Sequence, residues 1–376
     1  MKNSTGQHRD SKAGDQANTR VLIAGGGTGG HLFPGVAIAE EIRRRYRNPE
    51  ILFVTGRRKM ESEVLSRSGF HQVSIHVEGL KGRGLIKGMM VLLKMPYSLF
   101  QAISIIRKFS PRLVLGVGGY SAGPICLAAR MMGIPTAIHE QNSFPGLTNR
   151  LLCRIVDRVF ISFEESKVHF AGGSIHLTGN PIRQELFVVK NHEKVNQRFT
   201  ILIVGGSQGA RAINQAFLGA LEILKNQGKD PMIIHQTGEI DQPWVLEEYR
   251  KKGFEGEVIS FIHDMAKAYQ RADMVISRAG ATTISELAAL GKPSILIPYP
   301  YAANRHQDTN ALILADLGGA ELLYQDDLNG ETLAALLIKY MDDRMALEEM
   351  GKQVLKIGRR DATRVIADQL AEMMNG

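Results

Sequence analysis

At 376 residues the chain is longer than one hydrophobic core usually sustains, so two domains of roughly 150–200 residues are expected. Its 44% apolar and 22% charged residues exclude a disordered or fibrous class, and its two cysteines, Cys126 and Cys153, with no CxxC and no Cys/His cluster, point away from a disulfide framework or structural zinc site and fit a reducing compartment. The net charge of +8 is uneven, because residues 20–180 hold 21 Lys and Arg against 10 Asp and Glu; nucleic acid, an anionic membrane, a phosphorylated substrate or a plain solvated basic face would each account for that half.

Residues 1–19 are polar and lack an apolar run, which reads as a disordered leader rather than a signal peptide or anchor. The strand Val21-Leu22-Ile23-Ala24 then runs into Gly25-Gly26-Gly27-Thr28-Gly29-Gly30-His31, and Pro34 to Arg45 is expected to be a helix. A strand that ends in glycines before a helix gathers bare backbone N–H groups and a positive helix end at one point, which suits a phosphate or diphosphate. Gly25, Gly27 and Gly30 also satisfy G-x-G-x-x-G, which raises a dinucleotide-dependent dehydrogenase. An NAD site wants an acidic residue near the end of the second strand, whereas Ile51-Leu52-Phe53-Val54 runs into Thr55-Gly56-Arg57-Arg58-Lys59, a cluster suited at most to a 2′-phosphate. The sequence holds no G-x-x-x-x-G-K-[ST] phosphate loop.

Lys81 to Met95 joins a basic, glycine-broken entry to an apolar run too short to span a bilayer, so it reads as either a buried helix or an interfacial segment. Leu113-Val114-Leu115-Gly116-Val117 and Thr136-Ala137-Ile138 are further strands without polar alternation, as for parallel strands covered on both faces. The uncharged stretch Leu113 to Ala129 is broken by Gly116, Gly118, Gly119, Gly123 and Pro124 and is therefore a strand, a turn and a helix start, not a membrane span. Thr178-Gly179-Asn180-Pro181 stops regular structure, which sets the first domain at residues 20–178 and the second at 179–360.

The second half repeats the opening. Ile201-Leu202-Ile203-Val204 delivers into Gly205-Gly206-Ser207-Gln208-Gly209-Ala210-Arg211, and Met232-Ile233-Ile234, Val258 to Phe261, Met274-Val275-Ile276 and Ser294 to Ile297 read as parallel strands. Two such turns at matching positions predict two similar α/β domains facing a shared cleft with an anionic ligand. Ser277-Arg278-Ala279-Gly280-Ala281-Thr282-Thr283-Ile284-Ser285-Glu286 leads into a helix expected over Ile284 to Leu290. It offers a diphosphate site with hydroxyl donors, and Glu286 can accept from a ribose diol; a helix cap built from Thr282 and Glu286 explains the same residues. A rigid polar loop, Pro298 to Tyr301 and Asn304-Arg305-His306-Gln307, follows the next strand. Residues 361–376 carry a last helix, roughly Asp361 to Met374, that can pack back on the first domain.

Taken together and in order, the first glycine turn, Gly118-Gly119-Tyr120-Ser121-Ala122-Gly123-Pro124, His139-Glu140-Gln141-Asn142, Gly179-Asn180-Pro181-Ile182-Arg183, the second glycine turn and the segment ending in Ser285-Glu286 closely resemble the MurG family of bacterial N-acetylglucosaminyltransferases over about residues 20–370. The resemblance implies a GT-B architecture: two Rossmann-like, doubly wound parallel-sheet domains with an interdomain cleft. It implies inverting transfer of N-acetylglucosamine from UDP-N-acetylglucosamine (UDP-GlcNAc) to the 4-hydroxyl of the muramyl sugar of lipid I, forming lipid II for peptidoglycan. The expected place is the cytoplasmic face of the bacterial plasma membrane, with an anionic membrane surface and other cell-wall synthesis proteins as partners and no nucleic acid.

By that resemblance Thr28, Gly29, Gly30, Asn142, Arg183, Ser207, Ile262, Ala281, Thr282, Thr283, Ile284, Ser285, Glu286 and Gln307 bind UDP-GlcNAc, and Gly118, Gly119 and Tyr120 meet the acceptor diphosphate. His306 would face the sugar hydroxyls beside Gln307, and His139 would help to place the acceptor. No cofactor is implied, and no metal ligand set is evident; Mg²⁺ would at most be loosely bound. His31, with a near-neutral unperturbed pKa, is one choice of general base and Glu140 the other. A UDP-sugar transferase with another lipid or small-molecule acceptor, and a catalytically inert nucleotide-sugar sensor, are the competing readings.

Overall fold

The computed structural model of the protein describes residues 19–375, apart from 58, 78–84, 188–197 and 207 and the side chains of 59 and 85–94. The leader expected before residue 19, the basic entry at Lys81 and Arg83, and Ser207 lie outside the described residues.

The first half runs β1 (Arg20–Ala24), α1 (Gly29–Arg45), β2 (Glu50–Thr55), α2 (Lys59–Arg67), β3 (His71–Ser74), α3 (Leu85–Phe109), β4 (Leu113–Gly116), α4 (Ala122–Met131), β5 (Thr136–Glu140), α5 (Leu147–Leu152), β6 (Arg158–Ile161) and β7 (Ile175–Leu177). The second half follows as β8 (Thr200–Val204), α6 (Arg211–Asn226), β9 (Met232–Gln236), α7 (Gln242–Lys252), β10 (Glu257–Ile259), α8 (Met265–Arg271), β11 (Met274–Ser277), α9 (Ala281–Leu290), β12 (Ser294–Leu296), α10 (His306–Ala315), β13 (Glu321–Leu322), α11 (Gly330–Asp342), α12 (Arg344–Leu355) and α13 (Ala362–Asn375). The strands form two all-parallel sheets, ordered β3-β2-β1-β4-β5-β6-β7 and β10-β9-β8-β11-β12-β13. In each, the strand order reverses beside the first strand of the half, where doubly wound folds open their ligand crevice.

Each sheet is apolar on both faces. Val21 and Ile23 of β1 point to one layer, with Ile38 and Phe53, while Leu22 and Ala24 point to the other, with Val114 and Ile138. In the second sheet Ile201 and Ile203 face one core and Leu202 the opposite one. This is the period-2 alternation of a strand covered twice, so no polar residues interrupt the run. Ile366 and Leu370 of α13 complete the first domain's core. The helix is further held there by Arg45–Asp368 at 2.6 Å and Arg158–Glu372 at 2.8 Å.

Helix α1 starts five residues before the expected Pro34. Thr28 is extended, and the N–H groups of His31 and Leu32 turn back to its carbonyl. Pro34 therefore sits inside the helix and lacks the N–H that would bond to the Gly30 carbonyl. That carbonyl accepts instead from the Thr282 hydroxyl of the other domain, at 3.4 Å. No helix among the described residues is long and apolar enough to cross a membrane.

Candidate active site

The cleft between the sheets is lined by Thr28, Gly29, Gly30, His31, Gly118, Gly119, Tyr120, Glu140 and Asn142 from the first half. From the second it is lined by Arg183, Ile262, Ala281, Thr282, Thr283, Glu286, His306 and Gln307. Three helices begin at its wall. The N-caps are Thr28 for α1, Ala210 for α6 and Gly280 for α9, and none of the three makes a side-chain cap hydrogen bond. Their first-turn N–H groups and positive dipole ends converge on one space, a setting for anionic groups.

The capping alternative for the α9 entry is thereby overturned. Gly280 is the cap, the Thr282 hydroxyl reaches Gly30, and the Glu286 carboxylate accepts from the Tyr269 hydroxyl at 2.9 Å. Glu286 is 6% exposed and lies 3.7 Å from the Arg183 guanidinium. Burial raises its carboxyl above the usual range, against the pull of Arg183 and Tyr269; burial and the nearby Glu286 push the Tyr269 phenol up in turn. Arg183 stacks over Phe33 of α1 at 5.0 Å, and its Nε is buried with no protein partner among the described residues. A cation poised between a carboxylate and an aromatic face across the cleft can meet a diphosphate.

Ile284 and Ser285, grouped with the donor site in the sequence, turn away from the cleft. Ile284 is fully buried in the second domain's core, and the Ser285 hydroxyl donates to the Ala281 carbonyl of its own helix at 2.8 Å. At 100° per residue, a helix that presents Ala281, Thr282, Thr283 and Glu286 to the cleft must carry the two between them elsewhere. The Gln307 carbonyl oxygen accepts from the Tyr299 N–H at 2.9 Å, which fixes its amide at the cleft wall. His306 Nδ1 lies 2.7 Å from the Ala303 carbonyl, so the imidazole is tied to its own loop.

In the first domain the two glycine segments pack on each other. Gly26 N–H donates to the Gly118 carbonyl at 3.3 Å, and a Cβ at Gly118 (φ +93°) would come within 2.7 Å of His31 Nδ1. Only glycine allows both the conformation and that approach. The Gly27 N–H donates to the carboxylate of Glu61, a fully buried residue of α2 that sequence reasoning missed. One amide of the first turn is thus already occupied by an internal anion. The second turn is braced differently, by the neutral Gln236 amide, which takes the Gly205 N–H at 3.1 Å and donates to the Gly206 carbonyl at 3.0 Å.

The two candidate bases differ sharply. Glu140 is 1% exposed, and each of its carboxylate oxygens accepts two hydrogen bonds: Asn142 N–H and Nδ2 at 3.0 and 3.1 Å on one, Gly146 N–H and Asn149 Nδ2 at 3.1 and 2.9 Å on the other. That carboxylate is committed to shaping the loop after β5. His31 is half-buried at the cleft wall, with Nδ1 2.8 Å from Gln141 Oε1. His139 is fully buried, bonded to the Gly179 carbonyl at 3.2 Å, and its pKa is lowered to about 4 by burial first. It supports the cleft floor and does not line the cleft.

The sequence matches the Glycosyltransferase family 28 N-terminal domain over residues 21–161 and the Glycosyltransferase family 28 C-terminal domain over residues 200–369. A relative from Syntrophus aciditrophicus (strain SB) named UDP-N-acetylglucosamine–N-acetylmuramyl-(pentapeptide) pyrophosphoryl-undecaprenol N-acetylglucosamine transferase is 48% identical, with 94% of this chain and 99% of the relative covered. A relative of the same name from Myxococcus xanthus (strain DK1622) is 44% identical over 94% of this chain and 93% of its own. Among solved structures, Acinetobacter baumannii MurG superposes with a TM-score of 0.75 at 31% identity, covering 94% of this chain and 99% of that one.

Proposed function

This chain belongs to glycosyltransferase family 28, and we propose that it transfers N-acetylglucosamine from UDP-GlcNAc to the muramyl 4-hydroxyl of lipid I, the reaction for which its relatives are named. The observation that carries this reading is the division of chemistry across one cleft. Arg183, Glu286 and the open N-termini of α6 and α9 lie on one wall, and an imidazole in a glycine-walled recess lies on the other.

In this reading Glu286 accepts from the ribose diol, and Arg183 and the two helix ends hold the diphosphate. Backbone groups around Ile262 meet the uracil; Gln307, Asn142 and Thr28-Gly29-Gly30 meet the sugar. The acceptor diphosphate lies against Gly118, Gly119 and Tyr120. The acceptor oxygen attacks the anomeric carbon from the side opposite UDP while His31 takes its proton. The bond from that carbon to the β-phosphate oxygen breaks, and UDP departs with the electron pair, so the configuration inverts. Arg183 and the helix dipoles meet the charge as it grows on the leaving oxygen, the kind of preorganised stabilisation that contributes most in such sites. No covalent intermediate forms.

The acceptor side also suggests docking at the cytoplasmic face of the plasma membrane. Met95 and Tyr97 of α3 and Leu147 and Leu151 of α5 are exposed large apolar side chains that line the cleft mouth on the Tyr120 side, with Arg150 among them. An apolar rim with basic neighbours suits an anionic bilayer from which a lipid-linked substrate is drawn. The deciding assay follows UDP release by purified protein with UDP-GlcNAc, UDP-glucose or UDP-galactose, with and without a lipid I analogue. Release only with UDP-GlcNAc and the analogue together is expected. Equal release with an unrelated sterol or flavonoid acceptor would refute the acceptor assignment and leave the donor class standing.

A further inference from the structure

We infer that Gln141 is a positioning residue that fixes the tautomer of His31, holding the proton on Nδ1 and leaving the Nε2 lone pair for the acceptor hydroxyl. The inference rests on the reading of His31 as the base, but its first step follows from hydrogen bonding alone. Gln141 is 1% exposed. Its Nε2 lies 3.0 Å from the Val117 carbonyl oxygen and 3.4 Å from that of His139. A carbonyl oxygen can only accept, so the amide NH₂ must face this side, and turning the amide over would set oxygen against oxygen twice. Oε1 is therefore the atom 2.8 Å from His31 Nδ1, and it too can only accept. Nδ1 must carry the hydrogen, and in the neutral ring Nε2 is then the basic atom.

The orientation of Gln141 is locked from behind. Its Nε2 also lies 2.9 Å from His139 Nδ1, which must accept, so the His139 hydrogen sits on Nε2 and donates to the Gly179 carbonyl at 3.2 Å. Ser162 agrees: its hydroxyl donates to the Glu140 carbonyl at 2.9 Å, so toward His139 Nε2, 3.4 Å away, it can only accept. The depressed pKa of His139 keeps that ring neutral, as the chain of bonds requires. The sequence of donors from His31 through Gln141 and His139 to Gly179 runs in one direction with every hydrogen assigned. When His31 gains a proton at Nε2 during transfer, the Nδ1–H···Oε1 bond is kept and strengthened, and nothing else need move. The titratable and charged groups on the elements around this recess are Glu61 on α2, Tyr120 after β4, His139 and Glu140 on β5, and Arg183 and Glu286 from the second domain.

The test combines imidazole nitrogen NMR on histidine-labelled protein with kinetics of Gln141→Leu and Gln141→Glu, alongside His31→Ala. In the wild type at alkaline pH, the His31 pattern is expected to be that of a neutral ring protonated at Nδ1; an Nε2-protonated ring overturns the inference whatever the variants do. Gln141→Leu is expected to lose that pattern and to lower kcat about tenfold or more, within the roughly 10²–10⁴ that a positioned base contributes, with the UDP dissociation constant unchanged. Gln141→Glu sets its second oxygen against the Val117 and His139 carbonyls, so it is held there as the neutral acid, its O–H donating to that side and its C=O still accepting from His31 Nδ1. It should therefore keep the Nδ1-protonated pattern and retain most of the kcat that Gln141→Leu loses. Wild-type kcat in Gln141→Leu, or a Gln141→Glu that loses the pattern and kcat as fully as Gln141→Leu, overturns the positioning role. Should His31→Ala turn over normally, the base assignment fails instead, and the NMR pattern still reports whether Gln141 sets the tautomer.

Discussion

Glu286→Ala separates ligand binding from internal structure at one residue. In the folded protein the carboxylate has two internal neighbours, the Tyr269 hydroxyl at 2.9 Å and Arg183 at 3.7 Å, and it lines the cleft. Removing it leaves the buried Tyr269 hydroxyl unpaired, which costs about 1–3 kcal/mol of stability. That loss lowers Tm by about 2–4 °C per kcal/mol for a domain of this size. If the ribose diol also bonds to this carboxylate, hydrogen bonds to a charged acceptor add about 1.5–3 kcal/mol to binding, so the UDP dissociation constant rises on the order of tenfold or more. Calorimetric titration with UDP and with 2′-deoxy-UDP isolates that term: the wild type should prefer UDP, and the variant should bind the two alike. A variant that melts earlier yet still prefers UDP by the wild-type margin would confine Glu286 to supporting Tyr269.

His31→Ala should lower turnover by roughly 10²–10⁴ with little change in UDP affinity and with loss of the acid limb of the pH–rate profile. Glu140→Ala removes the acceptor of four donors, one buried and three partly buried, and should cost about 1–3 kcal/mol in denaturant unfolding; a fully stable but inactive variant would transfer the base role to Glu140. Stability should also fall in acid. Burial lowers the pKa of His139 to about 4 and of His235 to about 3, from 6.5. The unfolded chain therefore takes up protons below pH 6.5 that the folded chain refuses, at ~1.4 kcal/mol per pH unit for each ring. Comparing unfolding midpoints at pH 7 and pH 5 should show this loss, and His235→Gln should reduce the slope by one proton; an unchanged slope would refute it. Vesicle flotation should show binding to anionic liposomes that weakens with salt and on replacing Lys81, Arg83 and Lys87 by glutamate, at about 1 kcal/mol per basic residue. Equal recovery of the variant would remove that segment from the docking surface.

Much of the architecture is legible because it is local. An aliphatic run with no polar alternation, then glycines, then a helix is a strand covered on both faces delivering into a turn, and the chain says this at Val21 and again at Ile201. The same locality misplaces helix starts. Pro34 looks like a first helical position, yet α1 begins at Gly29, and the Gly30 carbonyl that Pro34 leaves open accepts from the Thr282 hydroxyl, 252 residues away from Gly30 in sequence. The α9 entry shows the same limit: a run of ten motif residues looks uniformly functional, but helical geometry sends Ile284 and Ser285 to other partners.

Composition and order were therefore enough to establish two parallel α/β domains and to point to the helix ends and polar residues that the structure gathers around one cleft. Which members of that set are free for chemistry was decided by tertiary contacts. Glu140 and His31 are equally plausible bases as residue types; the first is engaged by four donors on the loop and helix that follow it, and the second is oriented by Gln141, 110 positions away. Glu61 bonds to a glycine amide 34 residues before it, a pairing that no periodicity announces. A strand or helix is selected by side-chain spacing along the chain, whereas a buried polar group must find its partner wherever the fold brings one within hydrogen-bond reach, and that distance is set only when both sheets are assembled.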